Sequence, residues 1–281
     1  MTLTGAATIA GVMGWPVSHS LSPRLHGFWL EQNKIDGAYV PFAVSPDRLA
    51  DAVRALPALG LAGANLTIPH KETAMALMDK VDETARRIGA INCITVNPGG
   101  VLAGRNTDGF GFMESVREGA PGWNASAGPV VVIGAGGAAR AVCVSLQEAG
   151  APEIRLVNRT AQRAADLAAE FGAPLTAVPW LDRDAALEGA ALLVNTTSLG
   201  MAGQPALELS LEALPSQAVV TDIVYAPLET DLLRIARDRG HSVVNGLGML
   251  LHQARPAFKS WFGEDPAVTP ALRAHVLEAV P

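Results

Sequence analysis

The chain has 281 residues, 49% hydrophobic and 17% charged, with a net charge of −6. That length accommodates two domains with a substantial core, and no basic run exceeds two residues, which argues against a nucleic-acid face or an electrostatic membrane anchor. No apolar run approaches the roughly 20 residues that cross a bilayer. The N-terminus has no Lys or Arg before Arg24, and Cys93 and Cys143 lie in apolar stretches without a CxxC; the expectation is a cytoplasmic protein with reduced cysteines and no signal peptide.

In chain order, "TIAGVMG" (8–14), "AYVPFA" (38–43) and "GANLT" (63–67) read as strands, with helical patterns at 22–33 and 46–56 between them. "AINCITV" and "VLAGRN" come next, joined by the turn signal Asn97-Pro98-Gly99-Gly100. Strands alternating with helices indicate an α/β domain. After the loop at 119–129, "VVVIG", "EIRLVN", "LTAV", "ALLVN", "AVVTDIV" and "HSVVN" read as six strands, the number in a full dinucleotide-binding sheet. The tail from 246 to 281 shows one longer and one shorter helix, which could pack on either domain.

"VVVIGAGGAARA" places Gly134, Gly136 and Ala139 at G-x-G-x-x-A spacing between a strand and a helix. A pyrophosphate needs that tight turn, a close backbone approach and a helix N-terminus aimed at the anion. An NAD site would end the next strand in Asp or Glu. Here it ends in Asn158, Arg159 and Thr160, with Arg163 one turn on and no carboxylate before Asp166. Two guanidinium forks beside a hydroxyl suit a 2′-phosphate, so the cofactor read here is NADP. The alternative is a solvated Arg159 with Thr160 capping the helix.

Four polar stretches interrupt the apolar first half: "PVSHSLSP" (16–23), "NLTIPHK" (65–71), "AIN" (90–92) and "GRNTDGFG" (104–111). Most fall at strand C-terminal ends, where open α/β sheets bind ligands. Their hydroxyls and amides (Ser20, Ser22, Thr67, Asn92 among them), with Lys71 and Asp108, form a lining suited to a small polyhydroxylated acid. The spacing of His19, His26 and His70 fits no common zinc pattern, and no metal is expected. The chain carries 17 Arg against 4 Lys, so a lysine at 71 stands out: an ammonium can release its proton where a guanidinium does not. Pro69 fits a first helical position, which would place Lys71 in a helix's first turn.

These residues together resemble the shikimate dehydrogenase family. The motifs are "GWPVSHSLSPRLH", "GANLTIPHKE", "GAINC", "GRNTDG", "GAGGAAR", "NRT", "NTTSLGM", "DIVYAPLET" and "NGLGMLLHQA", in that order along nearly the whole chain. The resemblance implies an N-terminal α/β substrate domain (1–108), a Rossmann-type doubly wound parallel sheet binding NADP (109–243), and C-terminal helices (244–281) returning to the substrate domain. It implies reversible, NADPH-dependent reduction of 3-dehydroshikimate to shikimate in aromatic amino acid (chorismate) biosynthesis, by a monomer or homodimer.

Carried residue by residue, it implies Ser20, Ser22 and Tyr225 on the substrate carboxylate, and Thr67, Asn92 and Gln253 on or near the ring hydroxyls. Lys71 and Asp108 would be the catalytic pair, Asp108 also touching substrate. Gly134, Ala135, Gly136, Gly137 and Ala138 would cradle the pyrophosphate, Asn158, Arg159, Thr160 and Arg163 the 2′-phosphate, and Ile223, Gly246 and Glu83 the nicotinamide side. Cys93, Gly27 and Asn245 depart from the family's commoner choices of Thr, Asn and Asp, none of them at a proposed catalytic group. A quinate enzyme using NAD is the alternative within the same chemistry; its relatives often carry Thr for the second serine and an acidic residue after the cofactor strand, whereas this chain has Ser22 and Arg159-Thr160. A non-catalytic dinucleotide- or shikimate-sensing module is the alternative from another class, and it would be expected to lack Lys71 or Asp108.

Overall fold

In the computed structural model, which describes residues 3–280, the apolar runs of the first hundred residues form one mixed sheet. In chain order come β1 (Thr8–Gly14), α1 (Ser22–Gln32), β2 (Gly37–Ala43), α2 (Leu49–Ala58), β3 (Gly63–Leu66), β4 (Lys80–Val81), α3 (Glu83–Ile88), β5 (Cys93–Val96) and β6 (Leu102–Arg105). The sheet order is β2-β1-β3-β5-β6-β4. β1 runs parallel to β2 and β3, whereas β5 is antiparallel to β3 and β6. The β5–β6 reversal is the Asn97–Gly100 turn, closed by the Asn97 N–H on the Val101 carbonyl at 2.8 Å. β4 is only two residues long and carries no alternation that a sequence pattern could reveal.

The remaining elements are α4 (Asp108–Gly119), β7 (Val130–Ile133), α5 (Gly137–Glu148), β8 (Ile154–Val157), α6 (Ala161–Phe171), β9 (Leu175–Val178), β10 (Leu192–Asn195), β11 (Val219–Asp222), α7 (Asp231–Asp238), β12 (Ser242–Val244), α8 (Gly246–Phe262) and α9 (Pro270–Leu277). β7 to β12 form an all-parallel sheet in the order β12-β11-β10-β7-β8-β9. This is the doubly wound dinucleotide-binding order, with β7 as the first strand. Its central strands β7 and β10 are apolar at every position before the last because both faces are covered. Val130, Val132, Leu192 and Val194 pack with α4, α5 and α6, and Val131, Ile133, Leu193 and Val220 pack with α7 and Leu207, Leu211 and Leu214.

The chain divides into two compact units, one running to Thr107 and including Gln253–Ala279, the other Asp108–His252. The expected boundaries shift in two places. Asp108 opens α4 and belongs to the second unit. The tail is also split: the first two turns of α8 belong to the second unit, and the stretch from Gln253 onward belongs to the first. The reason is packing, since Gly248 lies so close to Ser115 that a Cβ would stand 2.2 Å from its Oγ. Met249 packs on the cluster around Val116, and His252 Nε2 bonds Glu118 Oε2 at 2.8 Å.

In the first unit the rings of α1, β2 and α8 make an aromatic core. His26 is fully buried and stacks on Tyr39 at 3.9 Å, with Trp29, Phe258 and Trp261 around it. Neither ring nitrogen has a hydrogen-bond partner among the described residues. Desolvation lowers the His26 pKa from 6.5 to about 3, so the folded chain keeps the ring neutral. An unfolded chain takes up that proton from about pH 6.5 downward. Protons therefore favour unfolding within this window: the stability is fully present above 6.5 and is lost as pH falls towards 3, by at most about 1.4 kcal/mol per pH unit. His26→Phe should flatten the acid limb of a urea-unfolding series; equal pH slopes in the two proteins would refute the assignment.

Candidate functional site

The first unit gathers most of the expected polar groups at the C-terminal ends of β1 and β3 and the entry to β5. Ser20 and Ser22 lie on the turn leading into α1, where the Ser22 N–H donates to Ser20 Oγ at 3.3 Å. Thr67 follows β3, its N–H on the Met13 carbonyl at 3.0 Å. Asn92, 2% exposed, is the hub. Its Oδ1 accepts the Thr107 N–H at 2.9 Å, and its Nδ2 donates to Thr107 Oγ1 at 3.0 Å and Gln253 Oε1 at 3.4 Å. Its carbonyl accepts from Asn65 Nδ2 at 2.9 Å, and Asn65 Oδ1 accepts the Tyr39 hydroxyl at 2.7 Å. The amide orientations of Asn65 and Asn92 are thus both dictated by neighbours, which holds a buried polar network in one arrangement.

Lys71 stands in a turn, not in the first turn of a helix. The Ile68–Pro69 peptide is cis, and the His70 N–H closes the reversal on the Thr67 carbonyl at 2.9 Å. Helical backbone starts only at Thr73, as a short 3₁₀ segment. Pro69 therefore makes a turn where the sequence pattern indicated a helix start. Lys71 is instead placed by its carbonyl, which accepts the Ile91 N–H at 2.9 Å, one residue before Asn92. His70 is structural: it is buried, with Nε2 2.8 Å from the Val44 carbonyl. Glu83 is exposed at the start of α3, after the N-cap Asp82.

The second unit holds Asp108, Tyr225 and the expected dinucleotide residues. Asp108 is buried at the start of α4. Tyr225 is half-buried after β11, and burial raises its hydroxyl pKa. Gly134 ends β7 at φ +112°, and a Cβ there would stand 2.6 Å from Thr196 Oγ1 and 2.9 Å from Thr197 Cγ2. Only glycine fits this turn. By contrast no described atom lies within 4 Å of a Cβ at Gly136 or Gly137, and α5 starts from Gly136 with no side-chain cap. The start of α5 thus has no side-chain cap and room beside its two glycines, which suits the close approach of a pyrophosphate.

The start of α6 is built alike. Thr160 is its N-cap, yet its hydroxyl makes no capping bond, whereas Thr230 and Thr269 cap α7 and α9 through the Leu233 and Leu272 N–H groups. Thr160 is thus not spent on the helix. Asn158 Nδ2 donates to the Thr160 carbonyl at 2.8 Å. Arg159 and Arg163 are exposed and make no ion pair among the described residues, and Asp166 is occupied with Gln162 Nε2 at 2.7 Å. Two guanidinium groups, an unused hydroxyl and an open helix N-terminus fit the charge and geometry of a 2′-phosphate.

Ile223 and Gly246 meet: a Cβ at Gly246 would stand 2.0 Å from the Ile223 carbonyl oxygen, and the Gly246 N–H bonds the Val224 carbonyl at 3.1 Å. The sequence pattern did not single out Asn195, Asp222 and Thr230, which are buried beside these groups. They lie in the motifs "NTTSLGM" and "DIVYAPLET", but nothing in those strings gave the three residues a role of their own. Among the described residues no group of three or more His, Cys, Asp or Glu could hold a metal ion, and no helix is long and apolar enough to cross a membrane.

Family models match the chain in three successive pieces: the shikimate dehydrogenase substrate binding domain over residues 12–94, shikimate/quinate 5-dehydrogenase over 120–221, and the shikimate 5′-dehydrogenase C-terminal domain over 246–274. A curated relative from Paramagnetospirillum magneticum, named shikimate dehydrogenase (NADP(+)), is 60% identical over 275 residues, 98% of this chain and 100% of its own. The solved shikimate 5-dehydrogenase of Thermus thermophilus, in complex with NADP(H) and shikimate, is 40% identical with a TM-score of 0.86, over 97% of this chain and 99% of that one. The quinate dehydrogenase of Corynebacterium glutamicum, in complex with NAD, is 29% identical with a TM-score of 0.90, over 97% and 99%. The fold defines the class: an oxidoreductase with a Rossmann-type dinucleotide unit and a mixed α/β unit. Within that class, the chain belongs to the shikimate dehydrogenase family.

The glycine turn carries a direct test. Gly134→Ala adds a Cβ that must displace Thr196 and Thr197 at a positive φ, and should cost about 1–3 kcal/mol of stability. A urea midpoint equal to that of the wild type would show that the turn relaxes freely.

Proposed function

We propose that this chain is an NADP-dependent shikimate dehydrogenase, interconverting 3-dehydroshikimate and shikimate in aromatic amino acid biosynthesis. The observation that carries this reading is its 60% identity to the Paramagnetospirillum enzyme along the whole of that protein. The buried, unpaired Cys93 and Cys143, whose thiols burial pushes up to about 12, fit a cytoplasmic setting without disulfides.

NADP supplies the hydride acceptor at the substrate carbon that bears the hydroxyl; the rest of the chemistry is proton transfer and orientation. In shikimate oxidation Lys71 takes the hydroxyl proton at Nζ, and in the reverse direction it returns it. Asp108 shares this work by accepting from a ring hydroxyl. Ser20, Ser22 and Tyr225 orient the substrate carboxylate through O–H donors. Thr67, Asn92 and Gln253 hold the ring hydroxyls, a role supported by the dictated amide orientation of Asn92. Gly134 to Ala138 take the pyrophosphate on the α5 N–H groups, Asn158, Arg159, Thr160 and Arg163 take the 2′-phosphate, and Ile223, Gly246 and Glu83 line the nicotinamide side.

The test is the change in nicotinamide absorbance with shikimate or quinate as substrate and NADP or NAD as cofactor. Shikimate with NADP should be the fastest combination; a preference for quinate with NAD would establish the alternative enzyme. Lys71→Ala should lower kcat by about 10²–10⁴-fold with little change in KM, and near-normal kcat would remove Lys71 from the proton step. Arg159→Asp should shift the NADP/NAD preference by about tenfold or more towards NAD. An unchanged ratio would move the 2′-phosphate site elsewhere.

A further inference from the structure

Two of the sequence motifs, "NTTSLGM" and "DIVYAPLET", contain buried polar residues to which the proposed reaction gives no role. Asn195 closes β10 and Asp222 closes β11, and the two are register partners in the parallel sheet. Both are fully buried, and Asn195 Nδ2 donates to Asp222 Oδ1 at 3.1 Å. Each also folds the loop beyond its strand. Asn195 Oδ1 accepts the Thr197 N–H at 3.0 Å and the Thr197 hydroxyl at 2.7 Å, while its Nδ2 also reaches the Leu199 carbonyl at 3.1 Å. Asp222 Oδ1 accepts the Val224 N–H at 3.0 Å, and Oδ2 accepts the Thr230 hydroxyl at 2.8 Å.

The two loops are further joined by the Ala202 N–H on the Ala226 carbonyl at 2.8 Å. Each presses on a glycine of the dinucleotide-binding edge: Thr196 and Thr197 on Gly134, and Ile223 and Val224 on Gly246. We propose that Asn195 and Asp222 form a positioning pair that sets these two loops before any ligand arrives, and so fixes where the pyrophosphate and nicotinamide of the dinucleotide are held. This rests on the dinucleotide reading above. The adenosine half lies outside their reach, because the groups around Arg159 and Thr160 are bonded to neither residue. Two N–H groups and the Thr230 hydroxyl point at Asp222; a carboxylate accepts from all three, whereas an amide in its place leaves the Thr230 hydroxyl proton without that acceptor. Burial raises the Asp222 pKa above the usual carboxylate value, and these donors offset only part of that rise.

The experiment compares Asp222→Asn with the wild type by calorimetric titration of NADP and of adenosine 2′-monophosphate, which lacks both the pyrophosphate and the nicotinamide. The NADP Kd should rise about tenfold while the monophosphate Kd stays within about twofold. Equal weakening of both would mean general destabilisation, and no weakening of either would mean the pair does not position the loops; both results overturn the proposal. Hydrogen exchange on the unliganded wild type gives a second measurement that needs no variant. The Thr197 and Val224 amides should be protected before ligand is added, and protection appearing only with NADP would also overturn it. Absence of shikimate oxidation by the wild type would instead sink the activity reading, leaving the binding and exchange results to judge the pair.

Discussion

The constraint on which the second unit depends is that its parallel sheet is buried on both faces. β7, β10 and β11 each place four consecutive buried residues between helical layers, so a polar side chain inside the strand would lose water on either side. Chemistry is thereby confined to the last strand residue and the loop beyond it. Asn195 and Asp222 occupy that last position in adjacent strands, where their exposed surface is nil but backbone donors from the next loops are within reach. A buried carboxylate is tolerable there because the loops turn their N–H and O–H groups towards it.

A second regularity separates the helices that close on themselves from those that leave their ends open. α7 and α9 begin with threonines whose hydroxyls satisfy an N–H of the first turn. α5 begins with glycine and α6 with a threonine whose hydroxyl does not cap its own helix. Helix N-termini carry partial positive charge and orphan donors, and leaving them uncapped forfeits roughly 1 kcal/mol each unless something else pairs them. α1 and α2 also start without a side-chain cap, but the starts of α5 and α6 lie after neighbouring strands of the parallel sheet, at the edge where doubly wound folds bind phosphates.

Much of this was legible in the sequence because the responsible signals are local and repeated. Apolar runs of four to seven residues marked every strand except β4 to within three residues, and the glycine spacing after β7 pointed to the turn at Gly134. The C-terminal tail was harder. One helical pattern ran across 246–262, and nothing in its periodicity marks the point near His252 where its packing partners change. Asn195 and Asp222 were illegible for a different reason. Asn or Asp after an apolar run is the ordinary mark of a turn, and only the register shows that two such residues face each other across neighbouring strands.

Lys71 shows where local rules give the wrong structure. Pro69 fits a helix start by pattern, and the actual turn, with its cis peptide, is set by contacts the pattern does not contain: the Trp15 N–H on the Ile68 carbonyl at 3.1 Å and His70 on the Val44 carbonyl. The turn ties Lys71 by its backbone to Ile91, so the lysine is positioned by the entry to β5 and lies beside the Asn92 network in the sheet's own frame. An ammonium is a compact charge with three rotatable donors, whereas a guanidinium is a rigid fork that keeps its proton. Under the proposed proton step arginine could match the charge at this place but not the transfer, which is a physical reason for a lysine in a chain that otherwise prefers arginine.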